Sequence, residues 1–230
     1  MTDFAGRSVL IAGATGGLGS AIASNLAERG AALTLISRQS EALAALAVPG
    51  ARHALDLRDP GACSAAVAAA IDHAGKLDVV VNAAGVVAFG PIAELTTDVM
   101  EELFLTNTFL PIMLTKAALG VMSNGGAIVN ISGVIAERNL AGMAAYGASK
   151  AAVRSFDEAI AREARRRDVR IIDARPPHTE TGLAQRPIAG TAPTMPEGLD
   201  PADVAATICD AIASGTTDLP SSAFSAARRE

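Results

Sequence analysis

A short apolar strand runs directly into a glycine-rich turn and then into an alanine-rich helix, and this constrains the chain more than any other feature. The strand is Val9–Ala12, the turn is Gly13-Ala14-Thr15-Gly16-Gly17-Leu18-Gly19, and the helix is Leu18–Arg29. Comparable β-rich runs recur at Leu33–Ile36, Val79–Val81, Ala127–Ile131 and Val169–Ala174. Stretches with helical spacing lie between them at Ala62–His73, Val99–Leu119 and Ala148–Arg167. Strands that alternate with helices of this length return to one sheet by right-handed crossovers. The expected architecture is therefore α/β, a doubly wound parallel sheet with helices on both faces, forming a single domain over residues 1–230. Half of the residues are hydrophobic, yet there are six Phe, one Tyr and no Trp, so the core must be aliphatic. That suits helices layered on a parallel sheet. Asp59-Pro60 and Asp200-Pro201 each read as an acidic N-cap followed by proline at the first helical position.

The turn carries chemical information. A helix that opens straight after a parallel strand leaves unpaired N–H groups aimed at one point, with the positive end of the helix dipole behind them. Glycines at 13, 17 and 19 let a pyrophosphate approach and let the helix pack close to the sheet. No Lys-Ser/Thr pair closes the turn, so it is not a mononucleotide phosphate loop. A dinucleotide fold of Rossmann type is expected, and the end of the second strand selects the cofactor. An acidic residue there would bond the ribose hydroxyls and repel a 2′-phosphate, but this chain has Ser37-Arg38. A guanidinium pairs with phosphate, which favours NADP(H) over NAD(H). Asp56, after the third strand, is placed to meet the adenine edge or to precede a helix as an ordinary aspartate.

Tyr146 and Lys150 stand four residues apart, on one helical face, in Ala-Tyr-Gly-Ala-Ser-Lys. A free phenol has a pKa near 10 and is a poor acid or base at neutral pH, whereas a neighbouring ammonium favours the phenolate. Tyr146 is the sole tyrosine and sits among small residues that have no need of an aromatic. Val153, Phe156 and Ile160 continue an apolar stripe that would anchor this helix.

Taken together, Ala12-Gly13-x-x-x-Gly17-x-Gly19, Asn82-Ala83-Ala84-Gly85 and Tyr146-x-x-x-Lys150 resemble the short-chain dehydrogenase/reductase family over nearly the whole chain. The resemblance implies hydride transfer between a nicotinamide and a ketone or secondary alcohol. It implies Tyr146 as general acid/base, Lys150 on the nicotinamide ribose, and Asn107 as the asparagine that holds a relay water. By the same likeness the cofactor would contact Gly13, Thr15, Gly16, Gly17, Leu18 and Gly19 in the turn. Ser37, Arg38, Asp56 and Leu57 would line its adenosine end, with Asn82, Ala83, Ala84 and Gly85 beside them. Pro176, Thr179 and Thr181 would complete the set, with Tyr146 and Lys150 counted in it as well. Relatives commonly pair through two long helices, which here are Val99–Leu119 and Ala148–Arg167, implying a homodimer or homotetramer.

Two positions depart from that pattern. Thirteen residues before the tyrosine, where the family carries a serine that bonds the substrate oxygen, stands Gly133. Ser132 is one residue earlier; neighbouring side chains on a regular strand face opposite ways, but at a strand end the backbone can bend, so Ser132, a backbone N–H or a water is expected to take that role. Pro176-Pro177 replaces the usual Pro-Gly, and His178 beside it is a second candidate donor. The missing serine motivates a rival reading, an NADP(H)-binding regulatory or interaction protein with impaired catalysis. An epimerase or dehydratase on the same fold is a third reading.

Other classes are disfavoured. A net charge of −5 gives no pull toward nucleic acid, and the Arg162, Arg165, Arg166, Arg167 cluster suits the C-terminal end of a helix. Cys63 and Cys209 read as buried thiols, and His53 and His73 have no companions at ligand spacing, so no metal site is expected. A polar start and the lack of an apolar run near 18 residues lead us to expect a cytoplasmic protein without a membrane partner. The irregular Thr181–Leu199 stretch reads as a lid or binding loop. Its Leu183, Ile188 and Met195 imply a partly apolar small-molecule substrate.

Overall fold

A computed structural model of the chain describes residues 3–122 and 125–224. Its sheet is built from β1 (Ser8–Ala12), β2 (Ala32–Ser37), β3 (Ala51–Ala54), β4 (Val79–Asn82), β5 (Gly126–Ile131), β6 (Val169–Ala174) and β7 (Asp218–Leu219). All pairings are parallel, in the order β3-β2-β1-β4-β5-β6-β7. In the middle, Leu10 lies beside Val80 and Ile11 beside Val81, and every residue of β1 and β4 is buried. Burial on both faces explains why these strands read as continuous aliphatic runs without alternation. One face is covered by α1 (Gly17–Glu28) and α7 (Pro201–Ser214), whose Ile22, Leu26, Ile208 and Ile212 meet Ile11 and Val81 in one core. The other face carries a separate core around Leu10, Val80 and Ile128. A short α2 (Ser40–Ala44) links β2 toward β3.

Three local expectations need correcting. Asp200 caps α7 as foreseen, accepting from the Ala202 N–H at 2.7 Å, but Asp59 does not cap α3 (Ala62–Ala74). The residue before that helix is Gly61 at φ +83°, so Asp59 lies in the preceding turn, where its carbonyl accepts from Ala62. The expected single helix Val99–Leu119 is α4 (Thr97–Phe104), a π turn (Leu105–Phe109) and α5 (Leu110–Leu119). Pro111 has no N–H to give and its ring crowds the carbonyl four residues back, that of Asn107, so the helix widens just there. Finally, α6 (Ala144–Ala164) starts before Ala148, and its inward face is not simply the stripe Val153, Phe156, Ile160. Val153 is buried, but Phe156 and Ile160 are only partly so, while Ser149, Lys150 and Asp157 are buried.

That polar face is held by a chain of hydrogen bonds that crosses the sheet. Asn82 Nδ2 donates to Asn130 Oδ1 at 2.5 Å, and Asn130 Nδ2 donates to Asp157 Oδ1 at 2.6 Å, joining β4, β5 and α6. Asp157 is 3% exposed and its Oδ2 has no hydrogen-bond partner among the described residues. Burial pushes its carboxyl up to about 8, against the Asn130 bond and with help from the Asp173 charge. It is therefore protonated at neutral pH. Both cysteines are buried and free, and burial pushes their thiols up to about 11 and about 12. Among the described residues no cluster of His, Cys, Asp and Glu is placed to hold a metal, and no helix is long and apolar enough to cross a membrane.

A folded-state value above the unfolded one means the folded chain binds more protons, so this carboxyl's contribution to stability falls as pH rises from about 4 to about 8. Urea unfolding should show the wild type losing stability over pH 5–8 relative to Asp157→Asn, by up to about 1.4 kcal/mol per pH unit. Parallel slopes in the two proteins would show that Asp157 is ionised in the fold.

Candidate active site

The chain order reverses at β1, which pairs with β2 on one side and β4 on the other. In open parallel sheets the crevice beyond the strand ends at such a point takes ligands. Here it is a cleft of about 550 Å³ that runs from the glycine turn to Tyr146 and Lys150. The glycines of the turn let three backbone segments meet. A Cβ on Gly13 would lie 2.6 Å from the Ala84 nitrogen, one on Gly19 2.2 Å from the Gly13 carbonyl oxygen, and one on Gly17 2.6 Å from the Thr181 carbonyl oxygen. The first turn of α1 has no acidic residue and no side-chain cap, which leaves its positive end open to an anion.

At the far end of the cleft, Thr15 Oγ1 and Ser37 Oγ lie 2.7 Å apart beside the exposed Arg38. Asp56 and Leu57 line the cleft, but the Asp56 carboxylate is taken up by Arg58, which chelates it through Nε at 2.9 Å and Nη2 at 2.5 Å. The Arg58 hydrogen bonds hold that carboxyl below its ordinary value. Arg58 also reaches Glu102 at 2.5 Å. Sequence reading did not single out Arg58; its only signal was a cation two residues beyond Asp56.

At the other end, Tyr146 lies in the first turn of α6 and Lys150 one turn on, 7% exposed, its Nζ donating to the Ile131 carbonyl at 2.8 Å. A methyl placed on Gly85 would lie 3.5 Å from Lys150 Nζ and 3.3 Å from Asn107 Oδ1, so these two groups converge there. Ile131 O alone does not offset the loss of water: burial pushes Lys150 down to about 8, with the Asp173 charge pulling the other way. Burial likewise pushes the Tyr146 phenol up to about 12. The expected lowering of the phenol by Lys150 is thus outweighed by desolvation, and the phenol keeps its proton across the neutral range.

The remaining residues divide into those that face the cleft and those that build it. Gly13, Thr15, Gly16, Gly17, Leu18, Ala83, Ala84, Gly85, Pro176, Thr179 and Thr181 line it, with Ser132 and His178. Gly19, Asn82 and Asn107 lie outside its lining. Gly19 is closed in by the turn, and Asn82 is spent on Asn130. The Asn107 amide bonds Val86 on both its N–H and carbonyl at 2.9 Å and donates to Ser149 at 3.1 Å. Its side chain clamps β4's exit to α6. Ser132 corrects the expectation of a substitute hydroxyl: its Oγ is fully buried and donates to Asp173. The N–H groups of Ser132 and Gly133 both point to the Ala174 carbonyl. Gly133 sits at φ +80° with nothing nearer its missing Cβ than Pro176 O at 3.9 Å. His178 pairs with Glu180 at 3.3 Å.

The irregular segment after β6 is tied down twice. Ile188 N–H and Ala189 carbonyl bond Val87 and Phe89 at 2.8 and 3.0 Å, and Thr179 bridges Leu199. Leu183, Ile188 and Met195 face the cleft, as do Leu140 and Met143 before α6.

Comparison with known proteins agrees with this geometry. The family model of the short chain dehydrogenases matches residues 7–190. Carbonyl reductase family member 4 of Danio rerio is 32% identical over 86% of this chain and 88% of its own length. A short chain dehydrogenase of Burkholderia cenocepacia, solved with NADP, superposes with a TM-score of 0.83 at 27% identity, over 96% of this chain and 99% of that one. One from Burkholderia phymatum, solved with NAD, gives 0.85 at 25% identity, over 99% and 94%. The chain belongs to the short-chain dehydrogenase family, and its chemistry is that of an oxidoreductase of the CH–OH/C=O couple.

Gly17→Ala tests how the turn and the loop are joined. Its methyl would collide with Thr181 backbone, so the loop must shift. Limited proteolysis should then cut within residues 181–199 faster than in wild type, by about tenfold for about 1.4 kcal/mol of lost packing. Unchanged cleavage would show that the loop yields without loosening.

Proposed function

We propose that this protein is an NADP(H)-dependent reductase that converts a partly apolar ketone to a secondary alcohol, with Tyr146 as the proton donor. One observation carries the reading: the phenol of Tyr146, with Lys150 one helical turn away, lines the same cleft as the glycine turn, and burial keeps that phenol protonated. A dinucleotide fits the residues present. The cradle at Gly13 and Gly17 is a place where any Cβ would strike backbone, and the open positive end of α1 would hold a pyrophosphate. Arg38, with Ser37 and Thr15, would take a 2′-phosphate, which supports NADP(H). Thr179, Thr181 and Pro176 would border the nicotinamide, and Lys150 its ribose. When bound, the nicotinamide supplies the hydride.

The rest is done by the chain. Leu183, Ile188, Met195, Leu140 and Met143 exclude water and hold an apolar group beside Tyr146. Tyr146 gives its proton to the carbonyl oxygen as charge develops there. A phenol at about 12 carries its proton at neutral pH, the form that reduction of a carbonyl requires, and a cation beside the phenolate must help it to give that proton up. The ammonium of Lys150 offsets the negative charge left on the phenolate. Residue 133 offers no hydroxyl to this oxygen.

That absence, with the Ser132 hydroxyl turned to Asp173, favours a second reading, an NADP(H)-binding regulator with weak catalysis. The two are separated by NADPH oxidation against a panel of alkyl and aryl ketones. Tyr146→Phe should lower kcat/KM by at least about 100-fold. Binding of NADPH without turnover on any ketone would favour the regulator. Arg38→Ala should raise the KM for NADPH by about tenfold and leave that for NADH in place, as expected from losing one charge-assisted contact. Equal effects on both would assign the 2′-phosphate elsewhere. Tyr146 is the sole tyrosine and there is no Trp, so the phenol absorbance can be titrated directly. Its midpoint should lie near 12 in the free protein and fall on adding NADP⁺.

A further inference from the structure

An ionic cluster built around one buried pair goes unused by the proposed reaction. Asp173 of β6 and Arg175 just past its end are 6% and 4% exposed. Arg175 grips Asp173 through Nη1, Glu137 through Nε at 2.5 Å and Asp218 through Nη2 at 2.6 Å. Glu137 in turn accepts from the Ser221 hydroxyl at 2.6 Å. The clamp thus joins the segment after β5, the end of β6, β7 and the turn beyond it. Buried charges are costly unless paired, and a structural clamp would be complete with Arg175, Glu137 and Asp218 alone. Asp173 does something more. Its second oxygen accepts from Ser132, the residue directly after Ile131, and the Ile131 carbonyl is the hydrogen-bond partner of Lys150.

The surroundings of Lys150 can be enumerated element by element. On its own helix stand Tyr146, which is neutral, Arg154 one turn on, which is paired with Glu158, and Asp157, which burial keeps protonated. The end of β5 offers the Ile131 carbonyl and the neutral Ser132, the π turn offers the Asn107 amide, and Gly85 offers only backbone. From β6 come Asp173 and, behind it, Arg175, whose charge is shared with Glu137 and Asp218. Asp173 is tied to Ser132, the neighbour in sequence of the residue whose carbonyl holds Lys150, and its charge opposes the loss of the Lys150 proton.

We propose that Asp173 is a positioning residue of this site: its carboxylate, aimed by Ser132 and Arg175, keeps Lys150 protonated at neutral pH and so sets the alkaline limit of turnover without touching the substrate. This rests on the reductase reading for the turnover clause alone. It also assigns Ser132 a task, since the hydroxyl that fails to face the cleft orients the carboxylate instead. With Asp173 neutralised, only the Ile131 bond opposes desolvation of Lys150, the ammonium loses its proton at lower pH, and the phenolate left by proton donation loses its counter-charge there.

The chain has three lysines, Lys76, Lys116 and Lys150, of which the first two are exposed, so lysine labelled with carbon-13 at Cε gives three NMR signals that can be titrated. In the ligand-free wild type, Lys150 should titrate near 8. In Asp173→Asn its midpoint should fall by about one to two pH units, while those of Lys76 and Lys116 stay in place. The alkaline limb of the kcat/KM profile should move down with it. An unmoved Lys150 midpoint in a folded Asp173→Asn protein would overturn the proposal. Should that variant not fold, a wild-type midpoint below about 7 would overturn it equally, because Asp173 would then not hold the proton. The titration needs no substrate, so a failed ketone assay would count against the reductase reading and leave this result standing.

Discussion

The cleft depends on one buried contact, the docking of the polar face of α6 against the ends of β5 and β6. A helix that lays Ser149, Lys150 and Asp157 on a sheet gains little from the hydrophobic effect along that line, so hydrogen bonds must hold it. Asn130 reaches Asp157, the Ile131 carbonyl takes Lys150, and Asn107 with Thr108 binds Ser149 from the side. The bonds to Ser149 and Lys150 fix one turn of the helix and that to Asp157 fixes another two turns on, and together they set the height at which Tyr146 enters the cleft. In such a network a half-satisfied member costs more than an apolar replacement, which makes the unpartnered Asp157 Oδ2 informative. A neutral carboxyl can stand there where a carboxylate could not.

The second constraint is close packing of backbone on backbone around the first turn. Gly13 abuts Ala84, Gly19 abuts Gly13, and Gly17 abuts Thr181. The phosphate cradle, the exit of β4 and the segment after β6 are therefore one packed unit. Side-chain chemistry enters only around its rim, with Thr15, Ser37, Arg38 and the braced Arg58 at one end and Tyr146 with Lys150 at the other.

Much of this was legible in the sequence, for identifiable reasons. The five central strands were found because burial on both faces leaves uninterrupted aliphatic runs, as in Val79-Val80-Val81, whereas the half-exposed edge strands β3 and β7 leave no such run. The glycine turn and the Tyr146–Lys150 pair were found because both depend on local spacing, and the match to the short chain dehydrogenases follows from those same positions. What escaped depends on contacts distant in sequence. Asp157 was hidden in an apparent apolar stripe, since its partner Asn130 is 27 residues away. Asp173 fell inside a strand and Arg175 was not singled out, and only the fold brings Glu137 and Asp218 to them. Periodicity gave a continuous helix through Asn107 because it does not register the missing N–H of Pro111. The Ser132 hydroxyl was assigned to the cleft by proximity to Gly133, whereas a buried acceptor on the neighbouring strand claimed it. The phenol value was misjudged because a sequence displays the neighbouring charge and conceals the loss of water.

The segment after β6 enters the fold by two short stretches of backbone pairing, at Val87–Phe89 and at His178–Glu180 with Leu199. Backbone pairing is indifferent to side-chain identity. Leu183, Ile188 and Met195 can therefore be exchanged for other shapes while the tethers and the sheet below stay as they are. On the reductase reading ligand choice would in that sense be modular: the wall that would meet the variable part of a substrate is a replaceable panel, mounted on a frame whose own residues answer to a different set of demands.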